Sequence, residues 1–312
     1  MRLRLSGRLL PIIAGALLLP LAVAQNLVRE VRSDIGKSDF TAAEARIGKY
    51  RASSGVTSEM LVALSWLGRG ALAARQLDRA EGYAAETHKL ALEMLKGRRL
   101  DADDNLPIAL GAAIEVEAQV AAARGERSAA IDFLQRELGA YRDTSIRTRI
   151  QKNIHLLSLE GKPAPDLEIR EWLGPKPAGL AELKGRVVLL FFWAHWCGDC
   201  KAQAPVLARL DREYGPRGLV LAGPTARYGY TARGRDATPA EELKYIAEIR
   251  SQYYANLAQM PVPVSEETFK NYGVSTTPTL VLIAKGGLVR LYHPGQMSYE
   301  DLASAIDAAL KK

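Results

Sequence analysis

From Asn26 to Ser158 the apolar positions recur at intervals of three and four, with almost no strand-like alternation. That is the period of helices, and the stretch is rich in Ala, Leu, Glu and Arg, which favour them. Met60, Leu61, Leu64, Leu67, Ala71 and Leu72 share one face of a predicted helix, and Ala80, Tyr83, Ala84 and Leu90 share one face of the next. A similar pair starts near Leu110 and Gly111 and continues through Ala129, Ile131 and Phe133.

The pattern changes at Ser158-Leu159-Glu160-Gly161-Lys162-Pro163, where helical periodicity gives way to a Gly/Pro-containing junction. Beyond it, short apolar runs alternate with helical segments. Val187–Phe192 reads as a central strand and 200–214 as its following helix, with another strand at 218–221. A long helix is predicted from Thr238 to about Ala258, with Pro239 acceptable in its first turn. After Pro261-Val262-Pro263-Val264, a short helix spans 266–272. Strands at 279–283 and 288–292 flank the Lys285-Gly286-Gly287 turn, and a helix at 299–310 closes the chain.

The candidate chemistry lies where the central strand meets its helix. Cys197-Gly198-Asp199-Cys200 holds the only two cysteines of the 312 residues. Their spacing places both sulfurs on one side of a helix start, whose N–H groups favour a Cys197 thiolate. Such a pair is suited to redox exchange rather than to stapling. Asp199 acts in two directions: its charge opposes a nearby thiolate, while its place in the first helical turn suits the helix dipole.

Phe192-Trp193-Ala194-His195-Trp196-Cys197-Gly198-Asp199-Cys200-Lys201 closely resembles the active-site stretch of the thioredoxin superfamily, with Asp199 replacing its usual proline. Gly273-Val274-Ser275-Thr276-Thr277-Pro278-Thr279-Leu280 resembles the family's turn, cis-proline and strand. Gly161-Lys162-Pro163-Ala164-Pro165-Asp166-Leu167 resembles the opening of the secreted branch that includes cytochrome c maturation reductases. The resemblance covers about residues 160 to 312. It implies a cis Pro278 facing the dithiol, Cys197 as nucleophile and Cys200 as resolving thiol. It also implies a substrate groove with Trp196, Thr277, Pro278 and Gly295, with His195 and Asp199 as candidate redox-tuning residues. Trp196 as a packing residue and Gly295 as a simple turn are the alternatives. Phe191 stands where ordinary thioredoxins have a buried acid; Glu241, Glu242 or another carboxylate is a spatial replacement to look for. The fold expected is an α/β thioredoxin-like domain preceded by an all-α helical-hairpin domain.

The turn at 74–80 is echoed at 123–129, so the helical region resembles degenerate tetratricopeptide hairpins, with a generic bundle as an equal alternative. The segment at 223–260 is longer than a minimal thioredoxin requires, either as a lid or partner surface or as a solvent-facing crossover.

Arg2, Arg4 and Arg8, an apolar run from Leu9 to Val23 and Ala22-Val23-Ala24 form the three-part pattern of a secretory leader. The expected division is 1–24 leader, 25–158 helical domain and 159–312 thioredoxin-like domain. The expected location is periplasmic, after passage across an inner membrane, with an uncleaved signal anchor as the alternative. The net charge of +7 includes the leader arginines, and no basic patch interleaved with aromatics points to nucleic acid. His88 and His155, remote in sequence, read as capping or solvent-facing, and no metal or other cofactor is expected. The expected partners are disulfide-containing protein clients and a membrane reductase as electron donor, with peptide or protein contact through residues 25–158. The expected activity is protein disulfide reduction. An oxidase or isomerase, or a redox-sensitive client-binding protein, is the alternative.

Overall fold

A computed structural model describes the backbone of residues 19–311, with side chains described from Leu27. The leader expected at 1–24 therefore lies outside the residues whose side chains are described. Two compact units divide between Val116 and Glu117, inside a helix.

In the first unit, helices α1 (Leu19–Gly36), α2 (Phe40–Ser54), α3 (Ser58–Ala73) and α4 (Leu77–Met94) pack around α3. Met60, Leu61, Leu64, Leu67 and Ala71 of α3 are buried, the face expected from their spacing. The ends of α2 and α3 are set by side-chain caps: Asp39 accepts from the Ala42 N–H at 2.9 Å and Thr57 from the Met60 N–H at 3.2 Å. Gly70 allows close packing, because a Cβ there would lie 2.5 Å from the Ile35 side chain. Helix α5 (Leu106–Ala123) is apolar and long enough to cross a membrane by composition, but 56% of that window is buried, as in a core helix.

The second unit begins with the end of α5, then α6 (Arg127–Ala140) and α7 (Arg147–Ser158). Helix α6 buries Ala130 and Leu134, not the expected Ala129, Ile131 and Phe133. The inward stripe is thus set one residue along. The remaining elements are β1 (Trp172–Leu173), β2 (Val187–Phe192), α8 (Gly198–Tyr214), β3 (Leu219–Ala222), α9 (Pro239–Tyr253), β4 (Val262–Pro263), α10 (Glu266–Asn271), β5 (Thr279–Ile283), β6 (Val289–Pro294) and α11 (Tyr299–Leu310). Helix α9 stops at Tyr253, before the expected Ala258, and a single 3-10 turn follows at Ala255–Leu257. The unexpected pair β1 and β4 forms a small antiparallel ribbon.

The main sheet has the order β3-β2-β5-β6, with β2 parallel to β3 and antiparallel to β5. Strand β2 is buried along its whole length because helices cover both faces. Its alternate residues Val187, Leu189 and Phe191 join α8, α9 and α11 in one core, while Val188, Leu190 and Phe192 join α10 in the other.

Helix α7 belongs to this second unit physically. His155 is buried, not solvent-facing: its Nε2 lies 2.8 Å from the Asn271 carbonyl and its ring packs edge-on against Tyr292. Burial pushes its pKa down, opposed by that carbonyl. Gly273, at φ +62°, faces the α7 backbone so closely that a Cβ would lie 2.4 Å from the Lys152 nitrogen.

Candidate active site

Strand β2 ends at Phe192, and the chain turns through Trp193–Trp196 into α8, which delivers Cys197 as the helix N-cap. Cys197 and Cys200 form a disulfide. The Cys200 N–H donates to the Cys197 Sγ at 3.0 Å, the contact expected of a helix-start sulfur. Cys200 is fully buried and Cys197 nearly so, and both sit in the core between β2 and α8.

The turn that aims the sulfurs is fastened from behind. The Trp193 indole N–H donates to the Gly223 carbonyl at 2.8 Å, and the Thr225 hydroxyl donates to the Trp193 carbonyl at 2.8 Å. A Cβ at Gly223 would meet the flexible end of Met260, its methyl at 2.6 Å, and the Trp193 indole nitrogen at 3.3 Å. Phe191 packs in the core against Tyr254 with ring centroids 6.0 Å apart, so no acid occupies its position.

Across from the dithiol, the Thr277–Pro278 bond is cis and the Thr277 carbonyl oxygen lies 3.4 Å from the Cys197 Sγ. The oxidised sulfur has no proton to donate, so this is a close approach; a reduced Cys197 thiol could donate there. The Thr277 hydroxyl is buried without a hydrogen-bond partner. Gly295, at φ +113°, donates its N–H to the Pro278 carbonyl at 2.7 Å and so flanks the same loop. Trp196 is 49% exposed beside Cys197. Asp199 is exposed in the first turn of α8, and its carbonyl accepts from the Gln296 side-chain amide at 2.8 Å. The sequence-derived set Cys197, Cys200, Trp196, Thr277, Pro278 and Gly295 therefore gathers at one end of the sheet.

Three side chains at this end were not singled out as a group from sequence. Gln203, one turn beyond Cys200 and buried, exchanges two 3.0 Å hydrogen bonds with the Met297 backbone. It ties α8 to the loop after Gly295. His195 does not reach solvent: it is 1% exposed and its Nε2 lies 3.1 Å from Oε1 of Glu242, also 1% exposed. Burial lowers the His195 pKa; its hydrogen bond and charge attraction to Glu242 oppose this, while nearby Lys201 lowers it further. Of the two carboxylates named as replacements for the missing acid, Glu241 instead completes the capping box of α9 with Thr238. The Glu242 oxygens are taken by His195 and by the N–H groups of Tyr228 and Gly229. No sequence signal links residues 195 and 242, which meet only because α9 folds back onto the turn. Among the described residues no cluster of three or more His, Cys, Asp or Glu could hold a metal ion.

The arrangement supports thiol–disulfide exchange: one sulfur at a helix N-cap, a second buried one turn later, and the Thr277 carbonyl of the cis-proline loop opposite them. Comparison with known proteins agrees. Residues 178–310 match the family model described as a thioredoxin-like domain. A thioredoxin-like protein, YneN, of Bacillus subtilis is 26% identical over 151 residues, which cover 47% of this chain and 79% of the relative. The thiol-disulfide oxidoreductase ResA of Bacillus thuringiensis is 28% identical over 144 residues, covering 46% and 73%. The thiol:disulfide interchange protein DsbE of Xylella fastidiosa is 27% identical over 144 residues, covering 46% and 65%.

Proposed function

This chain belongs to the thioredoxin-fold superfamily and is related to the DsbE- and ResA-type thiol-disulfide oxidoreductases, and from that premise we propose that it works outside the cytoplasm as a reductase of protein disulfides. The observation that carries the reading is the inequality of the two sulfurs. Cys197 caps α8 and receives the Cys200 N–H, while Cys200 is sealed in the core behind it.

In the reduced protein the Cys197 thiolate attacks one sulfur of a client disulfide. A mixed disulfide forms and the other client sulfur leaves as a thiolate, which takes up a proton. The Cys200 thiol loses its proton and attacks the Cys197 sulfur, closing the enzyme disulfide and releasing the second client thiol. Two electrons pass from the enzyme dithiol to the client. An external dithiol donor, which we assign to a membrane reductase, restores the reduced state.

The Thr277 carbonyl, with Pro278 and Gly295 beside it, offers a polar group to an extended client backbone, and exposed Trp196 offers an apolar face. Asp199, exposed in the first turn of α8, stands as the candidate for tuning the pair. The resemblance to cytochrome c maturation proteins makes an oxidised C-x-x-C-H segment, the c-type haem attachment motif, the first client to try. The leader-like segment at 1–24 supports a periplasmic location, and N-terminal mass analysis of soluble and membrane fractions distinguishes cleavage after Ala24 from anchoring. For the remaining division, 25–158 and 159–312, we assign partner contact to the helical part. A truncation meant to isolate the redox domain should nevertheless keep α7, given its fit against Asn271 and Gly273.

The test is trapping. Wild type should reduce a protein disulfide, Cys197→Ser should not, and Cys200→Ser should accumulate the mixed disulfide, visible by mass under non-reducing conditions. A Cys200→Ser protein that turns over normally, or a Cys197→Ser protein that still captures clients, contradicts the assignment.

A further inference from the structure

Glu242 lies in the first turn of α9, 47 positions after His195, in the segment that exceeds a minimal thioredoxin. Its carboxylate is buried and accepts three hydrogen bonds. Oε1 takes His195 Nε2 at 3.1 Å and the Tyr228 N–H at 2.6 Å, and Oε2 takes the Gly229 N–H at 2.8 Å. A buried carboxylate with this many donors fixes all of them, because none can leave without exposing the charge to an apolar surrounding. One donor stands two residues ahead of Cys197. The other two belong to the inserted loop.

The side chains around this pair are aromatic. The rings of Tyr228, Tyr230 and Tyr245 meet the His195 ring edge-on, with centroids 5.6, 5.4 and 5.3 Å away. Tyr228 also meets the ring of Trp196 edge-on at 5.4 Å. Trp196 is half-exposed and adjoins the nucleophilic sulfur. The chain of contacts thus runs from Glu242 through the Tyr228 backbone to the Tyr228 ring, then to Trp196 beside Cys197.

We propose that Glu242 is a positioning residue for protein clients: through His195 and the Tyr228–Gly229 backbone it holds Tyr228 against Trp196, so that the inserted segment supplies one wall of the client groove. This rests on the thiol–disulfide reading above and adds to it a determinant of which disulfides are accepted. Clients that lay an extended chain beside their disulfide use the wall. A small disulfide that meets only the sulfurs does not. Misplacing such a wall costs a large substrate orientation and binding without altering the chemistry of the sulfurs.

The experiment uses the full chain with dithiothreitol as reductant and two probes, insulin as a protein disulfide and bis(2-hydroxyethyl) disulfide as a small one. The readout is the ratio of their kcat/KM values, in wild type and in Glu242→Gln, His195→Phe and His195→Gln. Glutamine at 242 replaces one acceptor oxygen by a donor, and phenylalanine at 195 keeps the ring but loses the N–H. Both should lower the ratio roughly ten-fold, mainly through a higher KM for insulin. His195→Gln, which keeps an N–H in reach of Glu242, should recover most of the loss. An equal fall with both probes, or an unchanged ratio, overturns the proposal. If circular dichroism shows the pair variants unfolded, Tyr228→Leu decides: it leaves the backbone donors in place and removes the ring against Trp196, so an unchanged ratio there overturns the proposal too. A wild type that reduces neither probe is a different result, and defeats the thiol–disulfide reading itself.

Discussion

Replacing Gly273 by alanine asks whether α7 is truly part of the redox unit. Gly273 has φ +62°, and an added Cβ would meet the Lys152 nitrogen at 2.4 Å, the Gln151 carbonyl carbon at 2.7 Å and the Lys152 Cα at 2.8 Å. All three atoms are backbone, so no side-chain rotation relieves the overlap. The left-handed conformation costs an L-residue about 1–2 kcal/mol. Forcing a methyl into packed backbone adds about 1–3 kcal/mol. The expected loss is therefore roughly 2–5 kcal/mol, which for a unit of this size lowers Tm by roughly 4–20 °C. Gly223→Ala is the internal comparison. Its Cβ would overlap chiefly the terminal methyl and sulfur of Met260, at 2.6 and 2.9 Å, and a flexible methionine can move. That variant should lose about 1 kcal/mol or less. The assay is thermal and urea unfolding followed by circular dichroism, with hydrogen exchange resolving 147–158. Gly273→Ala should speed exchange in α7 selectively or destabilise the whole second unit. A loss no larger than that of Gly223→Ala, with α7 exchange unchanged, would refute the packing described here.

Trp193→Phe keeps the buried ring but leaves the Gly223 carbonyl without its 2.8 Å donor, and should cost about 1–3 kcal/mol in urea unfolding. His155 and His195 both have pKa values pushed down by burial, so the unfolded chain binds more protons than the folded one in mildly acid solution. The stability of the neutral rings is complete above the ordinary histidine value of about 6.5 and is lost as pH falls through the lowered folded values. Unfolding at about pH 7.5 and about pH 5 should show that loss, and His155→Gln should flatten part of it; equal slopes in wild type and variant would contradict the burial assignment.

What could be read from the sequence was local. The run Val187–Phe192 carries its own strand propensity, and the cysteine spacing fixes the relation of two sulfurs within one helical turn, so β2, α8 and the dithiol needed no distant information. The segment ending in Thr277 and Pro278 was readable through resemblance, and it faces Cys197. What escaped was long-range. His155 sits on a polar-looking helix, and nothing in its neighbours announces the Asn271 carbonyl that buries it. Glu241 and Glu242 are adjacent and chemically alike, yet helix geometry turns one to solvent as a cap and the other inward to His195. The inward stripe of α6 was displaced because Ala129 and Ala130 offer no contrast in polarity.

The direction of electron flow is the central claim, and the equilibrium of the Cys197–Cys200 pair with a defined glutathione buffer tests it most directly. The helix-start N–H on Cys197 favours the thiolate and hence the reduced form, whereas a donor must give its electrons up. The account predicts a potential nearer the roughly −270 mV of thioredoxin than the roughly −120 mV of a strong dithiol oxidant, with electrons passing from the reduced protein to an oxidised client. A potential near the oxidant's, with reduced clients becoming oxidised on mixing, would contradict it.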